Sequence, residues 1–219
     1  MKICVATQPL KDNVNLPACD LCVFGFGALG EVNYESELSG KTDKFEELAL
    51  LSRTLSCGVA CGCTTFSCGL KRKSAAVADR GKLLGISDML HVIDGEDFKS
   101  GAGLGLYKVS GYKIGVCVEN DIYFPENVKA LSLCGCNLIV CFLENSGDNM
   151  PPLLIRAYSY LYGVPVVLSA GKVAYLAEIT GAVASSNQKI VTFETDPKNY
   201  YRVISTRSRG ILQTFSDDY

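Results

Sequence analysis

The stretch YKIGVCVENDIYFPE, residues 112–126, decides the fold of this chain. Its first half is apolar and β-branched from Ile114 to Val118, which predicts a short buried strand. Its second half begins a helix at Pro125, because proline suits the first helical position and Glu126 lies at the positive end of the helix dipole. The residues between form a sharp strand-to-helix turn. In α/β proteins chemistry tends to lie at such a turn, because backbone N–H groups converge there.

This stretch resembles the nucleophile elbow of the nitrilase (carbon–nitrogen hydrolase) superfamily. In that family an apolar strand ending in Gly-Val runs into Cys-Tyr-Asp and then Phe-Pro-Glu. The residues that match in kind and spacing are Gly115, Val116, Asp121 and the run Phe124-Pro125-Glu126. Glu119 stands at the place of the nucleophilic cysteine, and Asn120 stands at the place of the tyrosine.

Two other stretches are similar to the same family. Residues 20–24, DLCVF, resemble its second strand, and Phe26 stands where that strand's catalytic glutamate should follow. Residues 81–85, GKLLG, are followed by Leu90-His91-Val92, and Met89 stands where the family has its lysine. The acidic residue that often assists the family's triad would fall near Asp94, with Glu96 and Asp97 close by.

The resemblance covers nearly the whole chain and implies an α/β fold, a four-layer α-β-β-α sandwich of the nitrilase type. The alternation of strand and helix patterns permits this architecture without requiring it. We expect a single domain, residues 1–219, with a shortened or missing first helix, because Pro9 and Pro17 interrupt the segment between the first two strands. A polar and aromatic tail begins near residue 197. The family resemblance implies a homodimer or higher homo-oligomer that uses the elbow-helix face and this tail.

All three catalytic positions differ from the family, which predicts a pseudoenzyme without amidase or nitrilase activity. The family's reaction needs a thiolate nucleophile, a carboxylate that moves its proton, and an ammonium that steadies the tetrahedral intermediate. Phe26 cannot move a proton, Met89 carries no charge, and the carboxylate of Glu119 would repel an oxyanion. Losing one such group typically costs about two to four orders of magnitude in rate. A binding, regulatory or scaffold role is therefore favoured.

A diverged carbon–nitrogen hydrolase, acting on a small amide, nitrile or N-carbamoyl compound, is the alternative. Cys117 lies two residues before Glu119, so strand alternation would place both side chains on one face, with Glu119 as base and Cys117 as nucleophile. An acidic pair of Glu119 with Asp94 is a second version. Against the first version, a buried Cys117 with no cation nearby keeps its proton, because apolar burial raises the pKa of a thiol.

A small-molecule binding module is a third possibility. Its remnant pocket would be lined by Phe26, Met89, Glu119, Asn120 and Glu144. A carboxylate beside Phe26 and Met89 would be desolvated, which raises its pKa unless cations or N–H groups compensate.

Composition argues against several classes of protein. The 21 basic and 23 acidic residues give a net charge of −2, which does not favour nucleic acid or an anionic membrane as a partner. No segment is long and apolar enough to span a bilayer and the N-terminus lacks a signal peptide, so a cytoplasmic location is expected. The basic run at residues 71–73 is predicted to be a solvated hairpin tip, since three charges are too few for a phosphate site.

The 11 cysteines invite a metal or disulfide interpretation. Against a zinc site, His91 is the only histidine in the sequence, and the Cys pairs lack finger-like flanks. Most of the cysteines lie in apolar strand patterns. We therefore expect them to be buried free thiols, and we expect neither a metal nor a cofactor.

Overall fold

A computed structural model describes residues 1–7, 16–145 and 149–196. The strands in these ranges are β1 (Lys2–Ala6), β2 (Leu21–Phe24), β3 (Glu31–Asn33), β4 (Gly58–Ser67), β5 (Leu70–Asp79), β6 (Lys82–Asp88), β7 (Gly105–Val109), β8 (Tyr112–Val118), β9 (Leu138–Leu143), β10 (Val166–Ala170), β11 (Val173–Ala177), β12 (Val183–Ser186) and β13 (Ile190–Glu194). The helices are α1 (Tyr34–Leu38), α2 (Lys44–Thr54), α3 (Pro125–Leu133) and α4 (Met150–Tyr162), and a short 3-10 helix spans Glu119–Tyr123.

The described strands form two sheets. The first has the order β13-β1-β2-β4-β5-β6, with β3 added beside β4, and the second has the order β12-β11-β10-β9-β8-β7. Parallel pairs lie in the middle of each sheet, such as β1 with β2 and β8 with β9, and antiparallel hairpins extend the edges. The central strand β9, LIVCFL, is buried along its whole length, as expected of a parallel strand covered on both faces.

The two sheets pack face to face, and helices cover their outer faces. Alternate residues of each strand point to opposite sides, so Ile3 and Val5 face the second sheet, whereas Cys4 faces outward. The outer face of the first sheet packs against Leu48 of α2, and that of the second sheet packs against Ile155 of α4. The predicted four-layer α-β-β-α sandwich is confirmed.

Two sequence predictions fall at least partly outside the described residues. The segment predicted to lack its helix is described only at residues 16–19, which form neither helix nor strand, and residues 8–15 lie outside the description. The tail from residue 197 also lies outside it. Within the described ranges, no helix has both the length and the apolar character that a membrane crossing needs.

The basic run at residues 71–73 is part of β5, so the predicted hairpin tip is wrong. The turn lies earlier, at Cys68 and Gly69, which adopt φ angles of 50° and 75°. Because the run is strand, its side chains alternate between faces. Arg72 lies 3.7 Å from the carboxylate of Asp88, whereas Lys73 is only 9% exposed.

Candidate functional site

The turn after β8 is a sharp elbow, as the sequence predicts. Glu119 adopts a φ of 50°, a left-handed conformation that costs a non-glycine residue about 1–3 kcal/mol. The chain passes from this residue into the 3-10 helix and then into α3, which begins at Pro125. A strained residue at the mouth of a turn is a frequent feature of functional sites.

Asp121 fastens the elbow to the loop that follows β6. Its side chain is 2% exposed, and its Oδ1 accepts hydrogen bonds from the backbone N–H groups of Leu90 at 2.9 Å and His91 at 3.0 Å. Its Oδ2 accepts from the N–H of Val118 at 3.3 Å. These bonds hold Met89, the residue before Leu90, beside the elbow.

His91 also stabilises the contact between the elbow and this loop. Its Nδ1 lies 3.0 Å from Oδ1 of Asp121, and its ring stacks on Phe124 with 3.6 Å between the ring centroids. Both contacts lie within the elbow rather than in the cavity described next. The single histidine therefore acts as a structural residue.

A cavity of about 580 Å³ lies next to the elbow. It brings together all five residues expected to line a remnant pocket: Phe26, Met89, Glu119, Asn120 and Glu144. The other residues that line it are Gly27, Gly30, Glu31, Thr64, Lys71, Lys73, Glu96, Phe98, Tyr123, Leu143, Asn145 and Pro151. None of these residues is a cysteine.

Phe26 and Met89 form an apolar part of the wall. Gly62 on β4 makes room for the aromatic ring, because a Cβ at that position would lie 3.1 Å from both the ring and the backbone nitrogen of Phe26. Met89 is almost fully buried. Neither side chain can exchange a proton with a ligand.

Lys73 brings a cation to the cavity that the sequence patterns do not predict. Its Nζ donates a hydrogen bond to the carboxylate of Glu144 and lies 5.1 Å from the ring centroids of Phe26 and Phe98. The signal that could have found it is alternation: Ala75 and Val77, two and four residues later, face the second sheet. The site's ammonium thus comes from β5 and not from position 89.

Glu119 is a half-buried carboxyl group whose pKa departs from its ordinary value. Its Oε1 accepts a hydrogen bond of 2.7 Å from the backbone N–H of Glu144. Burial raises the pKa of Glu119 to about 7; this hydrogen bond and Lys73 act in the opposite direction, and the carboxylates of Glu144 and Glu96 add to the rise. The group therefore changes charge near neutral pH.

Glu96, rather than Asp94, supplies the acidic group of the loop. The chain turns at residues 94–95, which leaves Asp94 exposed and away from the cavity wall. Glu96 lines the cavity, and its Oε2 accepts a hydrogen bond of 3.1 Å from the side-chain amide of Asn120. The structure therefore does not bring Asp94 together with Glu119.

Cys117 lies on the far side of β8 from the cavity. It is fully buried in the apolar layer between the second sheet and helices α3 and α4, together with Leu131 and Cys141. The shared face that alternation predicts is absent, because the left-handed backbone at Glu119 ends the strand's alternation. A hydrogen bond with Cys141 and burial both raise the pKa of the Cys117 thiol well above its ordinary value, so the thiol stays protonated.

The chain matches known proteins in structure, but it matches none of the curated proteins or family models in sequence. No family model matches the chain, and no curated protein matches it by sequence. A carbon–nitrogen hydrolase from Helicobacter pylori G27 matches in structure with a TM-score of 0.73 at 17% identity, covering 99% of this chain and 94% of that one. An amidase from Nesterenkonia sp. AN1 with acrylamide added to its active-site cysteine matches with a TM-score of 0.70 at 14% identity, covering 98% of both chains.

A variant of the Nesterenkonia sp. AN1 amidase in complex with butyramide matches with a TM-score of 0.69 at 14% identity, covering 98% of this chain and 97% of that one. The three matches cover almost the full length of this chain. The protein therefore has the nitrilase fold of the carbon–nitrogen hydrolases.

Proposed function

We propose that this protein is a non-catalytic member of the nitrilase fold that binds a small organic cation in its cavity. One observation supports the proposal: Phe26, Met89 and Glu119, which the family resemblance aligns with the triad, all line the cavity, and none of its described lining residues is a cysteine. The related amidases carry an active-site cysteine, to which acrylamide adds in one structure. A cavity wall without a thiol has no equivalent nucleophile.

The other groups in and near the cavity do not supply the catalytic functions that the family's triad would provide. The amine of Lys73 is engaged with the Glu144 carboxylate and two aromatic rings. Ionised Glu119 would place a negative charge where the tetrahedral intermediate needs stabilisation. Cys117 is on the opposite side of its strand.

The charges of the wall favour a positively charged ligand. Among the lining residues that the structure describes, four carry carboxyl groups, Glu31, Glu96, Glu119 and Glu144, and two carry ammonium groups, Lys71 and Lys73. With these six ionised, they contribute two net negative charges. Each lysine already lies beside a carboxylate, Lys71 at 3.9 Å from Glu31 and Lys73 on Glu144. A ligand ammonium beside Glu119 and the aromatic rings would therefore reduce this excess of negative charge.

Calorimetric titration with three ligands of equal length tests the proposal. Butylamine, butyramide and butyrate differ mainly in charge, and butyramide is the compound bound by the Nesterenkonia amidase variant. We expect the amine to bind about tenfold more tightly than the amide, since a partly desolvated ion pair is worth about 1–2 kcal/mol. Its affinity should rise between pH 6 and pH 8.5, because Glu119, with its pKa near 7, becomes charged over this range.

The Glu119→Gln variant is the matched control for this titration. It keeps the oxygen that accepts the N–H of Glu144 and removes the ionisable group, so the pH dependence of amine binding should disappear. Ammonia released from butyramide is measured in the same samples, and none is expected. Preferential binding of butyrate, or turnover of the amide that Glu119→Gln abolishes, would overturn the proposal.

A hydrolase that uses Glu119 is the second candidate, and one observation favours it. A carboxyl group with a pKa near 7 is suited to general base catalysis, and Lys73 lies in the same cavity. Such an enzyme would activate water instead of forming a thioester. Extending the ammonia assay to nitriles and N-carbamoyl compounds separates it from the binding function.

We also propose that the protein self-associates through its second-sheet helices. Leu133 of α3 is 49% exposed, and Leu153 and Leu161 of α4 are each 57% exposed. Large apolar side chains grouped on neighbouring helices favour an interface between copies of the chain. We expect sedimentation equilibrium to give a dimer or larger, and Leu153→Glu with Leu161→Glu to give a monomer. The control is Leu38→Glu on α1, which is 90% exposed and should leave the mass unchanged.

A further inference from the structure

Four cysteines converge on the outer face of the first sheet, away from the cavity. Cys4 in β1 and Cys22 in β2 are direct partners in the parallel register. Cys19 precedes β2, and Cys57 precedes β4. The Sγ atoms of Cys19 and Cys57 are 3.9 Å apart. Cys22 and Cys4 lie close enough to Cys19 to affect the pKa of its thiol.

The four thiols differ in access and in freedom to move. Cys4, Cys22 and Cys57 are buried, whereas Cys19 is partly exposed. A reagent from solvent therefore reaches Cys19 first. Cys19 and Cys57 both lie outside strands and helices, so small backbone adjustments can bring their sulfurs from 3.9 Å to the bonding distance of about 2.05 Å. Cys4 and Cys22 are held in adjacent strands.

The hydrogen bonds make Cys19 the most acidic member of the cluster. When Cys19 is ionised, the thiols of Cys22, Cys4 and Cys57 can donate to it, and these neighbours lower the pKa of Cys19 well below the ordinary value. The bond to Cys19 and burial raise the pKa of Cys57. Donors that converge on one sulfur stabilise its thiolate in the same way that they stabilise any anion. The thiolate is the nucleophilic form of cysteine, so the accessible sulfur is also the reactive one.

We propose that Cys19 and Cys57 form a redox-active pair that is oxidised by low-molecular-weight disulfides. The Cys19 thiolate attacks a sulfur of the reagent, forms a mixed disulfide and expels one small thiolate. Cys57 gives up its proton to solvent or to that thiolate and attacks Sγ of Cys19, which forms the Cys19–Cys57 bond and releases the second small thiol. Two protein thiols lose two electrons in all, and one disulfide is reduced to two thiols.

The arrangement favours thiol exchange over metal binding. Across the described part of the chain, no group of three or more Cys, His, Asp or Glu side chains is arranged to hold a metal ion. Thiol–disulfide exchange, in contrast, needs only two neighbouring sulfurs, one of which is accessible to the reagent. The cross-link would tie the segment before β2 to the turn that joins α2 to β4.

Alkylation kinetics test the first step. Cys134 is exposed and far from the cluster in sequence, so it serves as an internal standard. With limiting iodoacetamide at pH 6.5, peptide mass spectrometry should show Cys19 modified at least about tenfold faster than Cys134, because a larger share of it is thiolate. Equal rates, or slower modification of Cys19, would overturn the proposal.

Peptide mapping after treatment with oxidised glutathione tests the second step. The wild-type protein should yield a Cys19–Cys57 linked peptide that dithiothreitol reverses. Cys57→Ala should stop at the mixed disulfide on Cys19, Cys19→Ser should give neither product, and Cys134→Ser should behave as wild type. Retained circular dichroism spectra establish that the variants fold. A cross-link from Cys19 to Cys4 or Cys22 instead, or no cross-link with Cys19 free to react, would refute the pairing.

Discussion

Replacement of Asp121 by alanine is expected to lower the free energy of unfolding by about 3–5 kcal/mol. The side chain is 2% exposed and accepts the backbone N–H groups of Leu90, His91 and Val118. Each buried donor that loses its partner costs about 1–3 kcal/mol, and water entering the gap recovers part of the sum. Urea denaturation followed by circular dichroism measures the loss.

Two further variants separate this effect from the loss of a charge. Asp121→Asn keeps one oxygen acceptor and should lose about half as much stability as Asp121→Ala. Asp94→Ala removes an exposed aspartate and should stay within about 0.5 kcal/mol of wild type. If Asp121→Ala costs less than 1 kcal/mol, the elbow is not held by this carboxylate.

Glu119→Gln is expected to stabilise the protein increasingly as the pH rises. The pKa of Glu119 is raised from 4.5 to about 7 in the folded chain, chiefly by burial. The folded state therefore favours the neutral acid, and this contribution to stability is fully present below pH 4.5 and lost as the pH rises to about 7. Glu119→Gln lacks this loss. Between pH 4.5 and about pH 7, its free energy of unfolding relative to wild type should therefore rise by about 3 kcal/mol at most, and then level off.

Melting temperatures and urea midpoints between pH 4.5 and pH 8.5 measure this difference. Glu46→Gln on α2 is the control, because Glu46 is exposed on the first turn of its helix. The stability difference between Glu46→Gln and wild type should not follow the pH dependence expected for Glu119→Gln. A Glu119→Gln curve parallel to wild type over the whole range would contradict a raised pKa of Glu119 in the folded chain.

The framework of the fold could be predicted from the sequence because it rests on local patterns. The apolar strand from Ile114 to Val118 and the helix start at Pro125 are each visible within a few residues. The same is true of the apolar central strands. These patterns predict the elbow, whereas the two packed sheets and the five residues expected at the pocket follow from the family resemblance.

The sequence predictions fail where the geometry depends on one backbone angle or one strand boundary. The left-handed φ of Glu119 has no sequence signature, since the residue is not glycine, and it undoes the pairing with Cys117. The β5 strand begins four residues earlier than its apolar part suggests, and this hid Lys73. A turn within a glycine-rich loop decided between Asp94 and Glu96.

The thiol cluster was missed for a different reason. Cys19 and Cys22 are close in sequence, but Cys4 and Cys57 join them only through the pairing of β1, β2 and β4. No spacing rule connects four positions that meet through sheet register. Such a site becomes visible only when the strands are assembled.

The position of Lys73 also bears on protein engineering. A designer who wished to install amidase chemistry in this scaffold would begin with Phe26→Glu, Met89→Lys and Glu119→Cys. The new ammonium at position 89 would then share one small cavity with the existing one, and the two would repel each other and compete for Glu144. Installing amidase chemistry would therefore require the neutralisation of Lys73 on β5 before any of the three substitutions could take effect.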